Sequence, residues 1–322
     1  MTTTTVLKEA PTFDNRQDFA DELIQLARTD ERIVAVCNDS VGSSNLTKFR
    51  DEFPDRLINV GIAEQNMVGV GAGLANAGLI PFVCAAGPFL TGRSLEQIKA
   101  DVAYSQHNVI LCGMSPGMAY GELGPTHHSV EDFSWLRALP GLDIVVPADG
   151  DQTRAAVRNA VANPRPTYIR VGRFKVPKVS DHDSSFERGK FVTARDGSDA
   201  TIIATGTEVS RALWAAASLE AEGISTRVLN ATYLSPLDEE AIVTAARETG
   251  AIVTAEEANV AGGLGAAVAS VVGQLEDGAR VPLRILGLQD FAPTGSTQYL
   301  LGHFGLEADD IAKAVRGALH RV

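Results

Sequence analysis

No run of about 18 apolar residues occurs in the 322-residue chain, so no segment is built to cross a bilayer as a helix. Positive charge is also scarce. The 28 Lys and Arg face 40 Asp and Glu, leaving a net charge of −12 that no local basic cluster reverses. Such a surface repels phosphate backbones, which argues against nucleic acid as a partner. The opening MTTTTVLKEAPT has neither the basic start nor the apolar core of a secretory signal. We read residues 1–12 as a disordered lead-in and expect a cytoplasmic location with no membrane partner. Cysteine is sparse too. Cys37, Cys84 and Cys112 are odd in number and each sits in an apolar stretch, the pattern of buried, reduced thiols and not of disulfides or zinc ligands. The phosphate-cradling GxxxxGK[ST] loop is absent, and GVGAG (69–73) and GGLG (262–265) do not satisfy G-x-G-x-x-G at a strand–helix turn.

What is present is a globular composition, 45% hydrophobic and 21% charged, long enough for two domains at about 150 residues each. Asp14 followed by Gln17 reads as a capping box opening a helix that carries Phe19, Leu23, Leu26 and Ala27 on one face. Short apolar strand candidates follow at 33–37, 57–60, 80–85, 108–113, 143–147 and 167–171, alternating with helical stretches or loops. That alternation predicts an α/β fold whose mostly parallel sheet is covered on both faces by helices. The polar segment 179–199 reads as a linker with a small hairpin, dividing a domain over 13–178 from a second α/β domain over 200–322. In the second domain strands are expected at 201–206 and 251–256, with helices from Pro236 and after Gly262. Gly69, Gly71 and Gly73 read as small surfaces that let a buried helix approach a neighbour.

Two segments carry chemistry, and one decoy does not. GMSPG (113–117) mimics the serine-hydrolase elbow, but Pro116 follows the serine and has no N–H to donate to an oxyanion. In LINVGIAEQNMVGVGAG (57–73), Glu64 falls one turn after an apolar strand, at the crevice where open α/β sheets bind ligands. Desolvation there is expected to raise its pKa and poise it to share a proton with a ligand nitrogen. The competing reading is a helix-start glutamate favoured by the dipole. The loop GMSPGMAYGELGPTHHS (113–129) is long enough to be functional, and its adjacent His127 and His128 suit proton transfer or substrate hydrogen bonding better than metal binding.

GIAEQNM (61–67), AAGPFL (85–90), GPTHHS (124–129), LPGLDIVVPADG (139–150) and PTYIRVGR (166–173), with GTEVSRAL (206–213) and EEANVAGGLG (256–265), resemble the thiamine-diphosphate enzymes of the transketolase family. The resemblance runs from about residue 12 to the end and covers that family's pyrimidine-binding and C-terminal domains. The family's remaining domain carries a GDG…N signature for Mg²⁺ and diphosphate, and no GDG triplet occurs here. The resemblance therefore implies the C-terminal section of a split transketolase, which moves two-carbon ketol units between sugar phosphates. This chain would hold the pyrimidine end of thiamine diphosphate, while Mg²⁺ and the diphosphate sit on a separate subunit, economically in an α2β2 assembly.

Residue by residue, the resemblance makes Glu64 the activating glutamate, sharing its proton with the aminopyrimidine. Phe89 becomes the aromatic beside that ring, with Asp39 and Ile62 also near the coenzyme. His127, with His128 beside it, meets the sugar's carbonyl or first hydroxyl oxygen. Arg16, Ser44 and Arg173 grip the acceptor phosphate, and Ser115 stands where a phosphate-binding histidine is expected. Leu123 replaces an aspartate that reads donor hydroxyls, and Gly92 and Leu95 replace pocket aromatics, so the substrate pocket is expected to differ from that of the pentose-phosphate enzyme. Arg93 is at hand to restore some polarity. Competing readings are the beta subunit of a 2-oxoacid dehydrogenase, which needs no sugar-phosphate site, and a non-catalytic scaffolding paralogue, which needs no buried acid.

Overall fold

Four of the apolar runs are shielded on both faces, as strands covered by helices on either side must be. In the computed structural model, which describes residues 10–180, 186–275 and 280–319, they form β2 (Ile33–Cys37), β4 (Ile80–Ala86), β5 (Ile110–Met114) and β7 (Thr167–Val171). With β3 (Leu57–Asn59), β6 (Asp143–Val145) and β12 (Tyr233–Ser235) they build a seven-stranded sheet in the order β12-β6-β7-β5-β4-β2-β3. Every pairing is parallel except that of β12 with β6. A second, five-stranded sheet runs β14 (Leu283–Leu288), β13 (Ile252–Asn259), β10 (Ala200–Ala204), β11 (Thr226–Asn230), β9 (Val192–Arg195), with only β9 antiparallel.

Helices α1 (Asn15–Thr29) and α5 (Gly150–Ala162) cover one face of the first sheet through Phe19, Leu23 and Val157. The other face meets α3 (Glu64–Asn76) and α4 (Asp132–Arg137), and its apolar cluster continues without a break from Val36 and Met67 to Ile252 and Val268 in the second half. The shorter α2 (Thr47–Glu52) packs its buried Phe49 beside α1. In the second half α6 (Glu208–Glu220) and α10 (Ala308–Leu319) pack together over β10 and β13, while α8 (Leu264–Val272) lies on the opposite side against β13 and β14, with α7 (Glu239–Glu248) packed beside it. A short helix, α9 (Thr297–His303), leads toward the loop at 121–123.

Several expectations need correction. Asp14 caps α1 by accepting from the Arg16 N–H at 3.0 Å, but Gln17 donates to Asp21 and closes no box. The lead-in stops short of residue 12: Thr12 begins β1 (Thr12–Asp14), paired antiparallel with β8 (Lys175–Pro177), while residues 1–9 lie outside the described residues. The expected hairpin is absent from the described part of its segment. Its β9 pairs antiparallel with β11 and so satisfies the backbone groups on that edge of the second sheet. The helix expected from Pro236 begins at Glu239, where the Asp238 carboxylate accepts the Ala241 N–H. Of the three α3 glycines only Gly71 is confined: a Cβ there would lie 2.5 Å from Val83 Cγ2, whereas Gly73 faces open space. The three cysteines are buried and free, and burial pushes the Cys37 thiol up to about 11.

Candidate active site

The carboxyl ends of β2 and β4 and the start of α3 converge on Glu64. The strand-end residue that meets it is Asn38, not the Asp39 singled out from sequence: Asn38 Nδ2 donates to Glu64 Oε1 at 2.7 Å. Asp39 sits in a left-handed turn (φ 71°), exposed, and accepts from Asn59 Nδ2 at 3.0 Å. Beyond β4 the chain enters a π-helical turn, Phe89–Arg93, and Arg93 Nη1 donates to Glu64 Oε2 at 2.7 Å. Both carboxylate oxygens are therefore engaged, and Glu64 is 1% exposed. Burial pushes its pKa up, but the hydrogen bonds from Arg93 and Asn38 outweigh it and hold the carboxyl below the usual range. The expected raised pKa is corrected accordingly: the site supplies its own donors to the charged form.

From Arg93 a row of flat or cationic groups leads across the crevice. The Arg93 guanidinium lies 4.6 Å over the Phe89 ring, Phe89 meets His127 edge-on at 5.3 Å, His127 meets Tyr120 at 6.1 Å, and the Arg173 guanidinium lies 4.8 Å over Tyr120. The row ends in a cleft of about 500 Å³ lined by Tyr120, Glu122, Leu123, Arg173, Ser296 and Thr297. Glu64, Phe89, His127 and Arg173 are thus brought together. His127 Nδ1 is 3.0 Å from the Thr126 hydroxyl.

The other residues read from sequence are less central. His128 is buried with Nε2 3.4 Å from the Gly121 carbonyl, and burial pushes its pKa down. Ser115 is fully buried at φ 54° with an unpartnered hydroxyl. Ile62 is 79% exposed. Arg16 is clamped on both oxygens of Asp14 and reaches the Ser43 carbonyl, while buried Ser44 joins a hydroxyl chain through Ser40 to Asn38. The space vacated at Gly92 is filled by Trp135, whose ring would lie 2.6 Å from a Cβ there.

Sequence reasoning missed the residues that hold the histidine loop. Glu257 of β13 accepts from the Met118 N–H at 2.6 Å and from the Thr207 hydroxyl at 2.9 Å, and a Cβ on Gly117 (φ 64°) would lie 2.5 Å from its carboxyl carbon. Arg170, 4% exposed, binds Asp132 at 2.9 Å and the carbonyls of Ser129 and Glu257, joining the loop to both sheets. Both residues stand inside motifs quoted above, but only the fold shows that they meet. Among the described residues no group of three or more His, Cys, Asp or Glu is arranged to hold a metal ion.

A helix-covered parallel sheet with a buried glutamate and an aromatic face at its strand ends defines a ligand-binding α/β site. Residues 12–178 match the family described as transketolase, pyrimidine binding domain, and residues 189–311 match the transketolase C-terminal domain. The chain belongs to the transketolase family and spans these two domains. It is 46% identical over 300 residues to one of the subunits of the apulose-4-phosphate transketolase of Phocaeicola vulgatus, covering 92% of this chain and 95% of that one. To the 6-deoxy-6-sulfo-D-fructose transketolase subunit SqwH of Clostridium sp. it is 41% identical, covering 95% and 94%. A solved structure described as a split gene transketolase, inactive beta4 tetramer, superposes with a TM-score of 0.86 at 39% identity, covering 96% of this chain and 98% of that one.

Proposed function

We propose that this chain is the small subunit of a split, thiamine-diphosphate-dependent transketolase that moves a two-carbon ketol unit from a ketose, probed first as its phosphate, to an aldose phosphate. The observation that carries this reading is the buried Glu64 carboxylate beside the Phe89 face, at the head of a row ending in His127 and Arg173. A flat, weakly basic heterocycle fits such a site: Phe89 offers a stacking face and Glu64 an acceptor for a ring N–H. Thiamine diphosphate, when bound, supplies the carbon nucleophile for the ketose carbonyl. Its diphosphate and Mg²⁺ are assigned to a separate subunit, with α2β2 the expected assembly.

Within this chain Glu64 presents its carboxylate as the acceptor for the ring N–H, in a shielded site where such a charge-assisted hydrogen bond is worth more than in water. Asn38 fixes the rotamer of that carboxyl. His127, with Nδ1 facing Thr126, offers Nε2 to a sugar carbonyl or hydroxyl oxygen. Arg173, at the cleft, binds phosphate through its planar fork. Arg16 is held by Asp14, so we place it and Ser44 in a supporting wall of the phosphate site, with Ser115 and His128 shaping the loop behind it. The relative described as an inactive tetramer of one subunit type supports dependence on a partner.

The test is to assay ketol transfer with thiamine diphosphate and Mg²⁺, using this chain with and without a diphosphate-binding subunit encoded beside its gene. Donors should include the apulose phosphate and sulfofructose named for its relatives. The pair should be active and the lone chain inactive. Glu64→Gln in the pair should lower the rate by about 10²- to 10⁴-fold, the usual range for a lost general acid–base. Activity of the lone chain, or full activity of the variant, refutes the reading.

A further inference from the structure

Arg93 has no place in the function just described, yet it touches two of its central residues. Phe89 and Arg93 stand four residues apart in one π-helical turn, a wide turn that brings them to the same side and that recurs at functional sites. The Arg93 guanidinium lies over the Phe89 ring, 4.6 Å from its centre, and Nη1 donates to Glu64 Oε2 at 2.7 Å. A planar, cationic group with N–H donors on its edge thus makes the two contacts assigned above to the aminopyrimidine: a face on Phe89 and an edge on Glu64. Both cannot be made at once on the same face and the same oxygen. The Arg93 side chain is 46% exposed while Glu64 is 1% exposed, so the arginine has open solvent to swing into and the glutamate has none. Glu64 is its one ion-pair partner among the described residues.

We propose that Arg93 is a built-in stand-in for the coenzyme's pyrimidine, a positioning residue that occupies Phe89 and Glu64 in the empty subunit and is displaced when coenzyme enters. The inference rests on the assignment of Glu64 and Phe89 to the pyrimidine. Two consequences follow from the physics. Without the latch, a buried carboxylate would lose its countercharge, so Arg93 keeps the empty subunit stable. With it, coenzyme must compete against an internal ligand, so affinity is lowered by the strength of the displaced contact.

The test compares wild type, Arg93→Ala and Arg93→Lys, each assembled with the diphosphate-binding subunit, by calorimetric titration of thiamine diphosphate at fixed Mg²⁺, together with thermal melting of each lone chain. Arg93→Ala should bind coenzyme roughly two- to fivefold tighter than wild type, the yield of removing a half-exposed ion pair, while its lone chain melts earlier. Arg93→Lys keeps the charge without the planar face and should fall between. A purely structural arginine would also lower melting but would weaken binding, so the sign of the affinity change discriminates. Measurable wild-type binding with equal or weaker binding by Arg93→Ala overturns the stand-in alone. No binding by the wild-type pair overturns both this inference and the assignment on which it rests.

Discussion

Replacing Glu208 with Gln should make the chain's stability less sensitive to pH. Glu208, in the first turn of α6, is fully buried, with one oxygen 3.2 Å from Arg211 Nη1 and the other unpartnered. Burial, opposed by Arg211 and reinforced by Glu257 and Glu307, pushes its pKa from the ordinary 4.5 up to about 8. Between those values the folded chain keeps the proton and the unfolded chain releases it. Stability is therefore full at low pH and falls as pH rises toward 8. Each pH step of one is worth at most about 1.4 kcal/mol, so going from about pH 5.5 to about pH 7.5 this carboxyl alone costs the fold roughly 2–3 kcal/mol. Glutamine has nothing to release. Urea midpoints of wild type and Glu208→Gln, followed by circular dichroism across that range, should diverge in favour of the variant as pH rises. Parallel profiles would refute the reasoning, because Glu256, also raised by burial and not among the groups acting on Glu208, is common to both proteins and cancels in the difference.

Gly117→Ala combines a left-handed backbone with a Cβ 2.5 Å from the Glu257 carboxyl carbon. It should loosen the histidine loop and cost about 1–3 kcal/mol, seen as a lower melting temperature, with ketol transfer by the assembled enzyme falling further than stability alone explains. Asp132→Ala leaves the Arg170 guanidinium buried beside Ser129 and Glu257 carbonyls without its carboxylate. It should destabilise by about 3 kcal/mol in denaturant titration, and a change under about 1 kcal/mol would contradict that estimate.

The alternation of apolar strands with helices was legible because strands buried on both faces have no polar residues to disguise them, and the residues of the row, Glu64, Phe89, His127 and Arg173, were legible through the family motifs. What escaped was pairwise. Asn38 is an ordinary strand-end polar residue until β2 and α3 place its amide 2.7 Å from Glu64. The low pKa of Glu64 escaped for the same reason: burial can be read from a motif, but the two donors that outweigh it come from positions 26 and 29 residues away. Gly92 looked like a lost aromatic, and only the fold shows Trp135 in the space. The destination of β9 was equally hidden, since a polar segment does not say which sheet edge will claim it.

The antiparallel strand β12 crosses from the second half of the chain to finish the first sheet, with Tyr233 buried there and its hydroxyl accepting from Asn159 at 3.0 Å. Chimeras that swap the second half between relatives would therefore also exchange the outermost strand of the first. A recombinant joined near residue 199 would set a foreign β12 against the native β6, and a fragment ending there would leave β6 as a bare edge open to other chains. Crossovers that keep β6 and β12 from the same parent respect the way the polypeptide is interlaced.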